Sequence, residues 1–165
     1  MSLFLIILAA GDGKRFKSNT PKPYNKVGNK TLLEHSINEF RNFNQIKKTV
    51  IVYNKKHKRH LNKLNLKNIL KITGGKTRQE STFIALKKIK RMGCKKVLIH
   101  DAARPYPSKK IISEIISNLK RNHAVVPIIK ISDATKRVEK KIIYLKLVSE
   151  PSFPFLLSLR ILYVL

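Results

Sequence analysis

The sequence predicts an α/β protein: an open, mostly parallel sheet covered by helices on both faces. Two patterns predict it. Apolar runs of strand length alternate with segments of helical period along the chain. The first, third and fourth runs each end in a polar or glycine-rich loop, GDGKR, GGKTRQ and HDAARP. At 165 residues the chain is also long enough for one domain with a substantial core.

The elements follow in order. Leu3 to Leu8 reads as a buried first strand. Thr31 to Phe40 places Leu32, Leu33, Ser36, Ile37 and Phe40 on one helical face, with Thr31 as N-cap and Glu34 at capping-box spacing. Thr49 to Tyr53 is a second strand, the basic stretch Asn54 to Asn65 a surface helix, and Leu70 to Thr73 a short third strand. Thr77 to Met92 is a helix turning Phe83, Ile84, Leu86 and Ile89 inward. Lys96 to His100 is a fourth strand, Ser108 to Arg121 a helix, and Ala124 to Ile129 a fifth strand. Residues 1–148 form the expected domain; residues 149–165 are an atypical apolar tail whose charge is reduced to Glu150 and Arg160.

Lys and Arg number 36 against 9 Asp and Glu, a net charge of +27 that invites a nucleic-acid reading. The excess is mostly lysine, however, spread over many segments rather than gathered in an arginine-rich block or interleaved with stacking aromatics. Chemistry on anionic small molecules fits that distribution better. The single cysteine, Cys94, excludes an intramolecular disulfide and reads as a buried structural thiol. The apolar N-terminal run lacks the basic region of a signal peptide, and no stretch reaches the length of a membrane span, so the expected location is the cytoplasm.

In open α/β sheets ligands bind beyond the carboxyl ends of the strands, where these loops would gather. The small residues Ala9-Ala10-Gly11 let another molecule approach the backbone, and exposed N–H groups there can cradle a phosphate. The loop lacks both the third glycine of the dinucleotide fingerprint and the GK[ST] of a P-loop. Arg15 follows, and then Lys22 between Pro21 and Pro23, an ammonium presented from a stiff backbone. Two cations beside a phosphate cradle can stabilise the charge of a phosphoryl-transfer transition state. Asp101, directly after the fourth strand, is placed to meet magnesium or a ribose hydroxyl; a helix N-cap or an ion pair with Arg104 is the structural alternative. His100 reads as a structural hydrogen-bonding residue.

The run LAAGDGKRF followed by PKPY resembles the signature of nucleotidyltransferases that activate sugar or polyol phosphates. GGKTRQES at 74–81, HDAARP at 100–105 and DATK at 133–136 make the sequence similar to the cytidylyltransferases that act on 2-C-methyl-D-erythritol 4-phosphate, in order and at family-like spacing from residue 3 to about 137. The resemblance implies a Rossmann-like nucleotidyltransferase fold and transfer of CMP from CTP to the polyol phosphate, with pyrophosphate released and Mg²⁺ bridging the triphosphate. It implies Arg15 and Lys22 as transition-state stabilisers. Ala9, Ala10 and Gly11 would line the nucleotide, and Gly75 and Ser81 would contact the cytosine. Asp101 would lie near the ribose and the metal-bound phosphates, and Arg104 and Thr135 near the polyol phosphate. A homodimer is implied, and neither a specific nucleic acid nor a membrane is an expected partner.

Beyond about Tyr144 the resemblance stops, short of the family's threonine-glutamine-proline stretch, a preceding arginine, an acidic loop and a late lysine. The expectation is a truncated or frameshifted member with its nucleotide-binding half intact in sequence. A ribitol 5-phosphate cytidylyltransferase, a non-catalytic remnant and, from another class, a basic nucleic-acid-binding protein are the alternatives.

Overall fold

Strand β1, Leu3–Ala9, is buried along its whole length and forms the axis of the molecule. A continuous apolar run is what a strand covered on both faces requires. The computed structural model describes residues 2–11, 18 and 20–128. After β1 come a short antiparallel pair, β2 (Lys26–Val27) and β3 (Lys30–Thr31), then helix α1 (Leu32–Phe40) and strand β4 (Ile46–Tyr53). Next are the five-residue α2 (Lys58–Asn62), strand β5 (Leu70–Thr73), α3 (Arg78–Lys90), β6 (Lys96–Asp101) and α4 (Lys109–Asn118).

The main sheet has the order β5-β4-β1-β6 and every pairing in it is parallel. The chain moves outward from β1 through β4 to β5 and then crosses to the other side of β1 to lay down β6. That reversal makes a topological switch point at the carboxyl ends of β1 and β6, the place where such sheets open a crevice. The predicted class is therefore the observed one.

Alternate residues of β1 serve two cores. Leu3, Leu5, Ile7 and Ala9 face α1 and α4, packing with Leu33, Ile37, Phe40, Ile112 and Ile115. Phe4, Ile6 and Leu8 face α3 and pack with Ala85 and Ile89. Each such fully buried Leu, Ile or Phe side chain is worth about 1.5–3 kcal/mol of transfer free energy. Helix α1 buries the five residues its periodicity predicts, and its capping box is formed: Glu34 N–H donates to Thr31 Oγ1 at 3.2 Å, and Thr31 N–H to Glu34 Oε2 at 2.8 Å. Cys94 is buried as expected, and burial pushes its thiol pKa up.

Four expectations need correction. The helix expected over 54–65 is a 3-10 turn, Lys55–His57, followed by the short α2, which buries only Leu61. Like charges at i,i+4, such as Lys55 with Arg59 and Arg59 with Lys63, oppose a longer helix. In α3 the buried stripe is Ser81, Ala85 and Ile89, whereas Phe83 is 66% exposed. Small residues let α3 sit close to the sheet, and that rotation puts Phe83 on the outer face. Residues 124–128 form no strand; Pro127 supplies no N–H for a ladder, Val126 and Ile128 are exposed, and Ile129 lies outside the described residues. Strand β4 begins earlier than the apolar run because Lys47 and Lys48 interrupt the pattern while the ladder to β1 continues. The tail at 149–165 lies outside the described residues.

The β2–β3 hairpin was not anticipated from the sequence. Its two-residue turn is Gly28-Asn29, with Gly28 at φ 63, where a side chain would be strained. No helix among the described residues is long and apolar enough to cross a membrane.

Replacing Thr31 by alanine removes the hydroxyl that caps α1. The expected loss is about 1 kcal/mol, read in urea unfolding as a lower midpoint at unchanged slope, with Thr31→Ser retaining most of the stability.

Candidate active site

A cavity of about 900 Å³ opens at the switch point, lined by residues that follow β1, β4, β5 and β6. Its floor depends on Gly74 and Gly75. A Cβ on Gly74 would lie 2.6 Å from Ser81 Oγ and 2.9 Å from Ala10 Cβ, so the loop after β5 can touch the end of β1 only through glycine. A Cβ on Gly75 would fall within 2.6 Å of the Glu80 side chain. The loop is then pinned. Gly74 N–H donates to the Tyr53 carbonyl at 2.8 Å. Gly75 N–H donates to Ser81 Oγ at 3.1 Å, and Lys76 N–H to Glu80 Oε2 at 2.7 Å.

On the opposite wall Lys22 occupies the first position of a 3-10 turn, Lys22–Tyr24, with Pro21 as its N-cap. Pro23 and Tyr24 are buried and anchor the turn. Tyr24 stacks on His60 at a ring separation of 5.5 Å, and burial pushes its phenol pKa up to about 12. Asn25 ties the same turn to its surroundings, its side chain donating to the Thr20 carbonyl at 2.9 Å and its own carbonyl accepting from Leu32 N–H at 3.0 Å. The proline-braced lysine is thus held by packing on one side and by hydrogen bonds on the other.

At the end of β6, Asp101 Oδ1 accepts from Arg78 Nη2 at 2.9 Å and from Arg78 Nε at 3.2 Å. Its Oδ2 lies 3.7 Å from Arg104 Nε, so the ion pair anticipated from sequence is present but is the weaker of two. The helix N-cap alternative is not realised, since Ser108 caps α4. His100 is 1% exposed, packs 5.1 Å from the Phe40 ring, and its Nε2–H donates to the Arg104 carbonyl at 2.9 Å. Burial pushes its pKa down to about 4, so it stays neutral and fixes the HDAARP turn.

Of the residues singled out in the sequence, Ala10, Gly11, Lys22, Gly75, Ser81, Asp101 and Arg104 come together around this cavity. Ser81 is 2% exposed and spends its hydroxyl on Gly75. Ala9 is not on the cavity surface: strand alternation turns it into the core shared with α1 and α4, where it is fully buried. Arg15 and Thr135 lie outside the described residues. Sequence reasoning missed Arg78, Lys76, Glu80, Asn54, Lys55 and Lys56, all of which line the cavity. Arg78 stands inside the GGKTRQES motif, and Asn54-Lys55-Lys56 directly follow β4, the same signal that marked the other loops.

The described part of the cavity carries six cationic side chains, Lys22, Lys55, Lys56, Lys76, Arg78 and Arg104, against the carboxylates of Glu80 and Asp101. Such a field selects a polyanion. Among the described residues no group of three or more His, Cys, Asp or Glu could hold a metal by itself. Magnesium on a nucleotide needs only one or two carboxylates beside phosphate oxygens and water. Asp101 Oδ2, with its cation beyond hydrogen-bond length, fits that requirement.

His100 sets a pH signature. Its pKa is near 4 when folded and 6.5 as a free side chain, so its contribution is complete above about pH 6.5 and is lost as pH falls toward 4, when the unfolded chain binds a proton the native state refuses. The loss amounts to about 3 kcal/mol. Urea unfolding at pH 7 and pH 4.5 should show that dependence in the wild type and a flatter one in His100→Gln.

The sequence profile of the family described as 2-C-methyl-D-erythritol 4-phosphate cytidylyltransferase matches residues 3–148. Among curated proteins, the chain is 52% identical over 137 residues to a bifunctional enzyme IspD/IspF of Pelagibacter ubique, covering 83% of this chain and 37% of that one. It is 38% identical over 144 residues to the 2-C-methyl-D-erythritol 4-phosphate cytidylyltransferase of Thermosipho melanesiensis, covering 84% and 63%. Among solved structures it resembles 4-diphosphocytidyl-2C-methyl-D-erythritol synthase of Anaerococcus prevotii, with TM-score 0.75, 28% identity, and coverage of 92% and 65%. A second is the Francisella tularensis 2-C-methyl-D-erythritol 4-phosphate cytidylyltransferase, with TM-score 0.76, 26% identity, and coverage of 99% and 73%. The chain spans less than two thirds of the length of these curated relatives. With the profile running through β1, the two glycines, the HDAARP turn and every other element of the cavity, this chain belongs to the 2-C-methyl-D-erythritol 4-phosphate cytidylyltransferase family.

Proposed function

We propose that this chain transfers the cytidylyl group of CTP to 2-C-methyl-D-erythritol 4-phosphate, forming the CDP-linked polyol and pyrophosphate. The observation that carries the proposal is the cationic cavity at the switch point, built from the loops that the family match spans. A triphosphate and a phosphomonoester are the polyanions such a cavity suits.

In this reaction an oxygen of the substrate phosphate attacks the α-phosphorus of CTP, and the bond to the β-phosphate breaks. An anionic phosphate needs no deprotonation by a base, which agrees with a neutral His100 turned away to a backbone carbonyl. The protein's contribution is position and charge. Lys22, on its braced turn, would meet the negative charge that grows on the α-phosphoryl oxygens, and Arg15 would share that task. Ala10, Gly11 and the Gly74-Gly75 floor allow the nucleotide to lie against backbone, with Gly75 and Ser81 on the cytosine side. Arg104 would face the polyol phosphate together with Thr135. Asp101 would hold magnesium through Oδ2, where the ion neutralises part of the triphosphate charge. A homodimer in the cytoplasm belongs to the same proposal; the exposed Tyr106, Val126 and Ile128 near Arg104 support burial against another chain.

The test is product formation by the purified 165-residue chain, with CTP, Mg²⁺ and either methylerythritol 4-phosphate or ribitol 5-phosphate. The expected outcome is pyrophosphate release that requires the methylerythritol substrate. Lys22→Ala should lower kcat about 10²–10³-fold with a smaller change in KM for CTP. Tight, salt-sensitive oligonucleotide binding that survives Lys22→Ala, without transferase activity, would instead favour a nucleic-acid-binding protein.

A further inference from the structure

Arg78 is the first residue of α3, and Asp101 is the last residue of β6, directly beside Leu8 of β1. Their side chains bridge the crevice at the switch point from its two sides. The helix end that carries Arg78 is locked: Thr77 caps it by accepting from Glu80 N–H at 3.0 Å, and Thr82 Oγ1 donates to the Arg78 carbonyl at 2.8 Å. Both guanidinium contacts, 2.9 and 3.2 Å, fall on one oxygen of Asp101, Oδ1. Among the described residues the other oxygen has only Arg104 at 3.7 Å, beyond hydrogen-bond length.

That asymmetry has a chemical consequence. A carboxylate beside two guanidiniums would ordinarily be taken up by a two-oxygen fork from one of them. Here Arg78 takes a single oxygen from a fixed direction, which sets the rotation of the carboxylate and leaves Oδ2 available. Without Arg78 the cation paired with Asp101 among the described residues is Arg104, three residues along on the same turn and half exposed, and the carboxylate would turn toward it.

We propose that Arg78 is a positioning residue: it aims Asp101 Oδ2 at the ligand, a ribose hydroxyl or metal-bound water of a nucleoside triphosphate, and acts on the ligand only through Asp101. This assignment rests on the cytidylyltransferase reading and names a residue that reading does not use. A guanidinium that gripped the phosphates directly would behave differently, because its effect would be independent of Asp101.

A double-mutant cycle separates the two. CTP with Mg²⁺ is titrated calorimetrically into wild type, Arg78→Ala, Asp101→Ala and the double variant, with Arg78→Lys as the conservative control and the thermal midpoint measured for each. Each single alanine variant should weaken CTP binding roughly tenfold, the usual scale of a charged hydrogen bond, and the double should bind no more weakly than Asp101→Ala. Arg78→Lys should recover part of the loss, since an ammonium can reach one oxygen without the guanidinium's fork. Thermal midpoints should barely move, as expected for an exposed ion pair. Losses that multiply to about a hundredfold in the double variant, or an Arg78→Ala that binds CTP as wild type does, would overturn the assignment while leaving the cytidylyltransferase reading intact. A wild-type chain that turns over no CTP and does not bind it would overturn both.

Discussion

The close approach of the loop after β5 to the end of β1 is the contact on which the rest of the site depends. Two glycines make it possible, because any Cβ on Gly74 would meet Ala10 and Ser81. Once they touch, Ser81 can hold Gly75, α3 starts where Glu80 can hold Lys76, and Arg78 reaches Asp101 across the crevice. The small residues Ser81 and Ala85 extend the same logic along α3, allowing the helix to lie close on the sheet. Replace that tight seam with an ordinary helix–sheet spacing and the cationic groups would no longer face one cavity.

The sheet supplies the matching constraint from beneath. Strand β1 is buried on both faces and paired on both edges, so its carboxyl end cannot shift without disturbing two cores. The crossover from β5 to β6 then places Asp101 beside Leu8, which carries the chemistry of the fourth loop to within reach of the first. Strand β6 holds Asp101, a proline-braced turn holds Lys22, and the capped start of α3 holds Arg78. That division suits a reaction whose catalysis is mostly positioning and charge.

Much of this was legible in the sequence where a single local rule governs the outcome. Thr31 and Glu34 announced their capping box, the apolar face of α1 was readable to the residue, and the glycine- and alanine-rich loops marked the strand ends that became the cavity. What escaped depends on tertiary distance. Phe83 is the largest apolar residue of α3 and by pattern belongs inside, yet the demand for a close helix–sheet contact turned Ala85 inward in its place. Ala9 shares a motif with Ala10 but not its face, a difference set by strand register alone. Arg78 was visible within its motif, but its partner lies 23 residues away on another element, and no spacing rule connects them.

On the proposed function, the crevice at the ends of β1, β5 and β6 receives the nucleotide. The most direct measurement is amide chemical-shift mapping of the isotope-labelled chain titrated with CTP and Mg²⁺. Saturable shifts should concentrate at Ala10, Gly11, Gly74, Gly75, Lys76 and Asp101, while the basic surface of α2 at residues 58–62 stays unmoved. Shifts confined to α2 and the lysine-rich outer face of α3, or none at all at millimolar CTP, would contradict it.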